Sequence, residues 1–318
     1  MTSSYLARLL CISLASFFLL HAALGTLAGL LAPTLIRKAG RFRPRAAARV
    51  VLVARLMPAA AAMLFVTGLC VPSFLWLEQE SGAERIGVFC LSAAALGLTI
   101  GTLAILRSVR AVIRSKRYVQ QIVRATPGVP QPWIVDARHA IISLAGIVHP
   151  RLLVSRAVAE TLSREQLAAA LRHERAHRES RDNLKRLLIL AAPGILPLFH
   201  GFKDLERAWN RFSEWAADDR AVAGSSHRSL SLAAALVKVA RLGAGPEAPL
   251  VTSLVGGGED LSARIERLLK GTIIVERPHR IPAVRFATAA LLSGAAIMMM
   301  LRPATMMAVH RLLENLIQ

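Results

Sequence analysis

Apolar and polar positions divide this chain into two regimes. In the first third, Leu9–Leu31, Leu56–Leu77 and Ile86–Leu106 run without a formally charged residue. Each reaches the roughly 20 residues needed to cross a hydrocarbon core of about 30 Å. The first run is too long for the core of a cleaved signal peptide and two more follow it, so it reads as retained. A fourth run, Ile281–Leu301, is interrupted by Arg285, whose side chain can reach the interface, and Arg302 marks its far end. Between 108 and 280 the pattern changes to short apolar segments set among polar ones. Trp133–Val135, Ala140–Leu144 and Leu152–Val154 are β-prone runs separated by turn residues and predict a small sheet. Ser163-Arg-Glu-Gln166 has the form of a capping box and predicts a helix to about Glu179, with Leu167, Ala170 and Leu171 on one face. Asp182 is expected to cap the next helix, which leads into Leu187–Phe199. That stretch is short for a span and broken by Pro193 and Pro197, so it is expected to be buried or to lie against the membrane. Arg107–Arg124 is expected to continue span three as a basic helix, and further helices are expected around Leu205–Ala223, Leu230–Arg241 and Leu261–Leu269. The pattern thus predicts a mainly α, polytopic membrane protein with about four transmembrane helices and a cytoplasmic α+β domain. The divisions are 1–107 (three spans and a basic loop), 108–280 (the domain) and 281–318 (the fourth span and a short tail).

Composition sharpens this picture. The 318 residues are 54% hydrophobic and 19% charged, with mean hydropathy +0.47, which excludes a disordered chain. Forty Lys and Arg against twenty Asp and Glu leave a net charge of +20, which points to nucleic acid or to an anionic membrane surface. The location of the charge decides between them. Arg37, Lys38, Arg41, Arg43, Arg45 and Arg49 lie between the first two spans, and Arg107, Arg110, Arg114, Lys116, Arg117 and Arg124 follow the third, with no acid among either set. Glu78, Glu80 and Glu84 lie between spans two and three. The positive-inside rule then places both basic segments and the 108–280 domain in the cytoplasm, beneath the cell's inner membrane. Most of the excess charge is membrane-flanking, so membrane lipid is an expected partner and direct nucleic-acid binding is not. Cys11, Cys70 and Cys90 all sit in apolar runs and predict neither a disulfide framework nor a thiolate metal site.

The candidate chemistry lies in the capped helix. His173-Glu174-Arg175-Ala176-His177 is an H-E-x-x-H sequence. Residues four apart on a helix share a face, so both imidazoles can reach one metal ion, with Glu174 beside them as a general base. Zinc (Zn2+) is the natural ion for such a set. A third ligand is available at Glu214, and Asp218, four residues further, can hydrogen-bond a ligand imidazole. Two such acids are ordinarily a solvated surface pair; beside H-E-x-x-H they are read as ligand and supporting group. Gly256-Gly-Gly258 lacks the context of a phosphate loop and reads as a linker. His139 and His149 flank strands and read as structural.

Gly146-Ile-Val-His-Pro-Arg-Leu-Leu-Val-Ser155, Leu162-Ser-Arg-Glu-Gln-Leu167, His173-Glu-Arg-Ala-His177 and Arg181-Asp-Asn-Leu184 together resemble the membrane metallopeptidases of the BlaR/MecR antirepressor type. Glu214-x-x-x-Asp218 and Leu261-Ser-Ala-Arg-Ile-Glu-Arg-Leu-Leu269 resemble later elements of that family in the same order, over roughly 130–270. The resemblance implies a gluzincin-like zinc peptidase domain with His173, His177 and Glu214 as metal ligands and Glu174 as general base. It also implies a membrane zinc endopeptidase whose substrate is a protein, a transcriptional repressor being one candidate. The family's receptors carry an extracellular β-lactam sensor after the last span, which is not found before Gln318, so antibiotic sensing is not expected of these residues. The group that stabilises the oxyanion is left open, with His227, His200 and Arg220 as candidates, each read first as a solvated side chain. Ala140–Leu144 is expected to be an exposed edge able to take a substrate backbone as an added strand. Two other readings stay open: an HtpX-type quality-control protease, and a signalling scaffold whose zinc serves only folding. A homodimer is also compatible with the sequence.

Overall fold

The computed structural model describes residues 3–78, 86–125, 133–135, 141–147, 150–194, 201–243, 250–254, 260–271 and 302–317. Three long helices dominate the first part: α1 (Ser3–Ala39), α2 (Pro44–Leu77) and α3 (Val88–Ala125). All three are long and apolar enough to cross a membrane. In α2 the backbone widens into a π-turn at Val66–Cys70. Pro72, just beyond it, has no N–H to return to the preceding turn, which is a common cause of such a local widening. The expected boundary at 107/108 falls inside α3, which continues unbroken to Ala125. The expected fourth span, Ile281–Leu301, lies outside the described residues, as do His139, His149, His200 and the Gly256–Gly258 linker.

Four strands form one small sheet: β1 (Trp133–Val135), β2 (Ile142–Ala145), β3 (Arg151–Ser155) and β4 (Val251–Ser253), in the order β1-β3-β2-β4. β1 is parallel to β3, whereas β2 is antiparallel to both β3 and β4. The expectation of an exposed edge at Ala140–Leu144 is therefore corrected. Ile142–Ala145 is buried and central, because β4 arrives from about a hundred residues downstream and pairs Ser143 with Ser253 and Ala145 with Val251. No local pattern around residue 142 could announce that neighbour.

The remaining helices are α4 (Arg156–Thr161), α5 (Arg164–Ser180), α6 (Asp182–Ala191), α7 (Gly201–Val222), α8 (Ser226–Arg241), α9 (Leu261–Leu269) and α10 (Pro303–Ile317). The capping box forms in both directions: Gln166 N donates to Ser163 Oγ at 3.3 Å, and Ser163 N to Gln166 Oε1 at 3.1 Å. One apolar core joins the sheet to α5, α8 and α9 through Ile142, Val154, Ala170, Leu232, Leu236 and Leu268.

A second core joins the metal-site half of the molecule to the spans. Phe202, Leu205, Trp209 and Phe212 of α7 pack against Ala32 and Ala39 of α1 and Ala47 and Val51 of α2. The approach is closest at Gly201, where a Cβ would lie 2.5 Å from both Cα and O of Gly29. Arg55 of α2 is buried in this junction. Its Nε donates to Glu206 Oε1 at 2.8 Å and its Nη2 to the carbonyls of Ile189 and Ala192 at 3.3 Å each, so it caps the C-terminus of α6. Its guanidinium also stands 4.4 Å over the Phe202 ring. The first part of the Leu187–Phe199 stretch is thus a helix held against α2, and 195–199 lies outside the described residues. At the other end of the bundle α10 docks beside Tyr5, Phe74 and Cys90, with Ser73 Oγ donating to Met306 O at 2.9 Å. The tail after Leu301, expected only as a short segment, is a docked helix. It shares its end of the bundle with the Arg8–Glu78 pair and faces away from the basic Arg37–Arg49 turn.

Substituting Gly201→Ala forces the α1–α7 backbones apart and is expected to cost about 1–3 kcal/mol. Thermal unfolding of the detergent-solubilised protein measures this, and an unchanged midpoint would contradict the close approach.

Candidate metal centre

Each side chain of the centre is placed by a local feature. α5 carries His173 and His177 one turn apart on a single face, and both are buried. The helix ends at Arg181, whose left-handed backbone (φ 55°, ψ 42°) lets α6 begin at the next residue. That corner turns Asp182 back toward His177. Asn183, beside it, donates to the carbonyls of Leu144 and Gly146 at 3.0 and 2.8 Å and ties the corner to the end of β2. α7 supplies Glu214 and Asp218 from the same face, and α9 supplies Arg264.

The distances define a point of convergence. His173 Nε2 and His177 Nε2 are 3.1 Å apart, His173 Nε2 is 3.4 Å from Glu214 Oε2, and His177 Nε2 is 3.5 Å from Glu214 Oε1. Two atoms each about 2.0–2.1 Å from a tetrahedral ion lie about 3.3–3.4 Å from one another. The two Glu214 distances run to different carboxylate oxygens, and one oxygen of Glu214 with the two Nε2 atoms surrounds a space in which one metal ion could be held. Among the described residues this is the one group of three His, Cys, Asp or Glu side chains that can share a metal.

Both imidazoles are oriented from behind. His177 Nδ1 lies 2.7 Å from Asp182 Oδ2, and His173 Nδ1 lies 2.9 Å from Asp218 Oδ1. A carboxylate only accepts, so in the neutral imidazoles a proton on Nδ1 faces the carboxylate and leaves the Nε2 lone pair turned to the centre. Two lone pairs 3.1 Å apart repel unless a cation lies between them. Its spacing from Glu214 puts Asp218 beside His173. The expectation that Asp182 caps the next helix is corrected: Arg181 stands at the cap position, Asp182 is the first helical residue, and its carboxylate is taken up by His177.

Charge balance points the same way. Glu174, Asp182, Glu214 and Asp218 are buried carboxylates, and the cations against them are Arg264 and Lys185. With neutral imidazoles the cluster keeps a net negative charge, minus two with Glu174 ionised and minus one with it protonated, which burial makes very costly without a further cation. Protons fill part of that role in the metal-free cluster. Burial disfavours charge on His177, but Glu214 and Asp182 outweigh it and raise its pKa to about 10; His173 is raised too, by Asp218 and Glu214 against its own burial. Burial likewise opposes charge on Glu214, yet His177 and Arg264 hold it well below the usual carboxylate range, and Asp218 is held at about 2 chiefly by Arg264 and His173. Glu174 differs. Burial dominates there, and despite the opposing pull of His173 and His177 its carboxyl is pushed up to about 7.

Arg264 was legible only as part of a motif. Its Nε and Nη2 grip Asp218 at 2.9 and 2.8 Å, its Nη1 donates to Leu254 O at 2.9 Å, and Nη1 lies 3.1 Å from Glu214 Oε2. Nη2 also stands 3.5 Å from His173 Nε2. It is the cation that reaches this centre from another element. The candidates named from sequence are placed elsewhere where they are described. His227 is exposed and 3.3 Å from Glu165, Arg220 engages Glu179 at 3.2 Å, and His200 is not described.

Comparisons with protein-family models, with curated proteins and with solved structures return no match. Two outcomes test the geometry directly. Asp182→Ala and Asp218→Ala are each expected to weaken zinc affinity ten- to a hundredfold, measured by competition with a chelating indicator. Arg264→Met keeps the volume but leaves Asp218 and Glu214 without their cation. It is expected to destabilise the fold by about 3–5 kcal/mol in chemical denaturation, with part of the loss restored by saturating zinc.

Proposed function

We propose that this chain is a zinc-dependent membrane endopeptidase of the BlaR/MecR antirepressor type, cutting cytoplasmic or membrane-proximal protein substrates in regulatory signalling. The observation that carries the reading is the convergence of His173, His177 and Glu214 close enough to share one metal ion, with a buried Glu174 on the same helix turn. In a site that serves folding alone, burying Glu174 has only a cost. In a hydrolytic site its pKa near 7 suits a group that must both take and return a proton.

His173, His177 and Glu214 would hold the zinc, and Asp182 and Asp218 would fix the tautomers of the two imidazoles. Bound there, zinc supplies Lewis acidity toward a carbonyl oxygen and toward water. Glu174 accepts the proton of the water that attacks the scissile carbonyl, then delivers it to the leaving amine. Arg264 keeps Glu214 and Asp218 ionised and in place. The basic segments flanking α1, α2 and α3 support a cytoplasmic orientation for the centre at the inner membrane.

The test is Glu174→Gln against wild type, both zinc-loaded in nanodiscs, on a proteome-derived peptide library read by mass spectrometry. The variant is expected to keep stoichiometric zinc and to lose cleavage by a factor of about 100 or more. Chelation should abolish wild-type cleavage and added zinc restore it. Equal cleavage by the two proteins would sink the reading.

A further inference from the structure

The metal centre is assembled from helices anchored in two different cores. His173 and His177 stand on α5, whose Ala169 and Ala170 pack in the core shared with the sheet, α8 and α9. Glu214 and Asp218 stand on α7, which crosses from one core to the other. Its first half, through Phe202, Trp209 and Phe212, packs against α1 and α2, and Ala221 and Val222 at its end belong to the core around α5. Asp182, the carboxylate behind His177, opens α6, whose far end lies at Ile189 in the junction with the spans. The imidazoles are thus fixed from one side of the molecule, while the groups that complete and orient them ride on helices that reach the spans.

Arg55 grips both of those helices at once. It is the last charged residue before the uncharged Leu56–Leu77 run of α2 and is only 3% exposed. A guanidinium buried there is costly unless it is paired. Its Nη2 donates to the carbonyls of Ile189 and Ala192 at the end of α6, its Nε donates to Glu206 of α7, and its guanidinium covers the Phe202 ring of α7. Capping α6 accounts for the two carbonyls. It does not account for Glu206 and Phe202 on the neighbouring helix. The ten residues of α6 put its Arg55 end about 15 Å from Asp182, and Glu206 stands eight residues before Glu214 on one unbroken helix. Rigid elements of this kind carry a displacement from one end to the other. Metal–ligand distances tolerate changes of only about 0.2 Å, so a small shift of α2 is enough to alter the fit of Glu214 or the aim of His177.

Resting on the zinc part of the reading above and not on its peptidase part, we infer that Arg55 is a positioning residue through which the seating of α2 sets the metal affinity of the centre. Whatever re-seats α2 is then read at the centre as zinc gained or lost, with no contact to the ligands themselves.

The experiment uses the full chain in nanodiscs. Zinc affinity is measured by competition with a chelating indicator, and ligand geometry by the visible absorption of bound Co2+. R55M is expected to weaken zinc about tenfold and to change the Co2+ spectrum. R55K keeps the charge without the planar guanidinium and is expected to fall between R55M and wild type in both readouts. V51A is the control for loosening alone: Val51 is buried in the same core, one turn before Arg55 on α2, and its truncation leaves the Arg55 contacts in place. Below the unfolding midpoints of all the proteins, V51A is expected to keep the wild-type affinity and spectrum. Should R55M not fold, E206Q takes its place, with a weakening of about threefold expected. Wild-type affinity in the Arg55 variants overturns the inference, as does an unaltered Co2+ spectrum. So does V51A weakening zinc as much as R55M. Wild-type protein that binds no zinc overturns this inference and the metal reading together. Arg55-dependent zinc binding with no peptide cleaved keeps the inference and removes the peptidase. Cleavage by a centre whose zinc affinity is indifferent to Arg55 keeps the peptidase and removes the inference.

Discussion

Four carboxylates gathered out of water need cations, and much of the surrounding structure follows from meeting that need. Asp182 and Asp218 are fixed against the imidazoles, Lys185 reaches Asp182, and Arg264 crosses from α9 to grip Asp218 and approach Glu214. The negative charge that remains favours a further cation among them. The strained corner at Arg181 has its explanation here. A left-handed residue other than glycine costs about 1–3 kcal/mol, and it is what brings Asp182 within 2.7 Å of His177 only five residues after it. Asn183 secures the same corner to β2, so the sheet and the ligand helix are fixed in one frame.

α7 carries this frame to the membrane. Its first half is packed on α1 and α2, and its second half presents Glu214 and Asp218 to α5. Glu206, held by Arg55, and Glu214, facing the centre, are eight residues apart on one helix, or about 12 Å along its axis. The position of Glu214, the third member of the candidate metal group, is thus set partly by how the spans pack. The separation into the three spans and the part that carries the metal centre is a division of sequence more than of structure, because Gly29 and Gly201 meet backbone to backbone across it.

The arrangement around Glu174 shows how burial and charge divide the labour among like groups. Glu174, Glu214 and Asp218 are all buried carboxylates, yet only Glu174 is pushed upward. The difference is cationic contact. Arg264 lies on Glu214 and Asp218 directly, whereas on Glu174 it acts weakly and burial prevails. One environment therefore holds two acids charged as structural anions and leaves a third able to exchange a proton.

The one-dimensional pattern determined what depends on neighbours along the chain. Uninterrupted apolar runs specified α1, α2 and α3, since only a helix satisfies its own backbone in lipid. Ser163 and Gln166 specified where α5 begins, and a four-residue spacing specified that His173 and His177 share a face, as do Glu214 and Asp218. Tertiary structure decided what depends on elements distant in sequence. β4 took the edge beside β2, Arg55 entered the junction with α7, Arg264 supplied the cation for Asp218, and Asp182 became the partner of His177 through one residue's left-handed turn. A helix cap and a periodic face are set by bonds spanning three or four residues. A buried charge finds its partner only when the whole chain has excluded water around it, and no local spacing records which residue that will be.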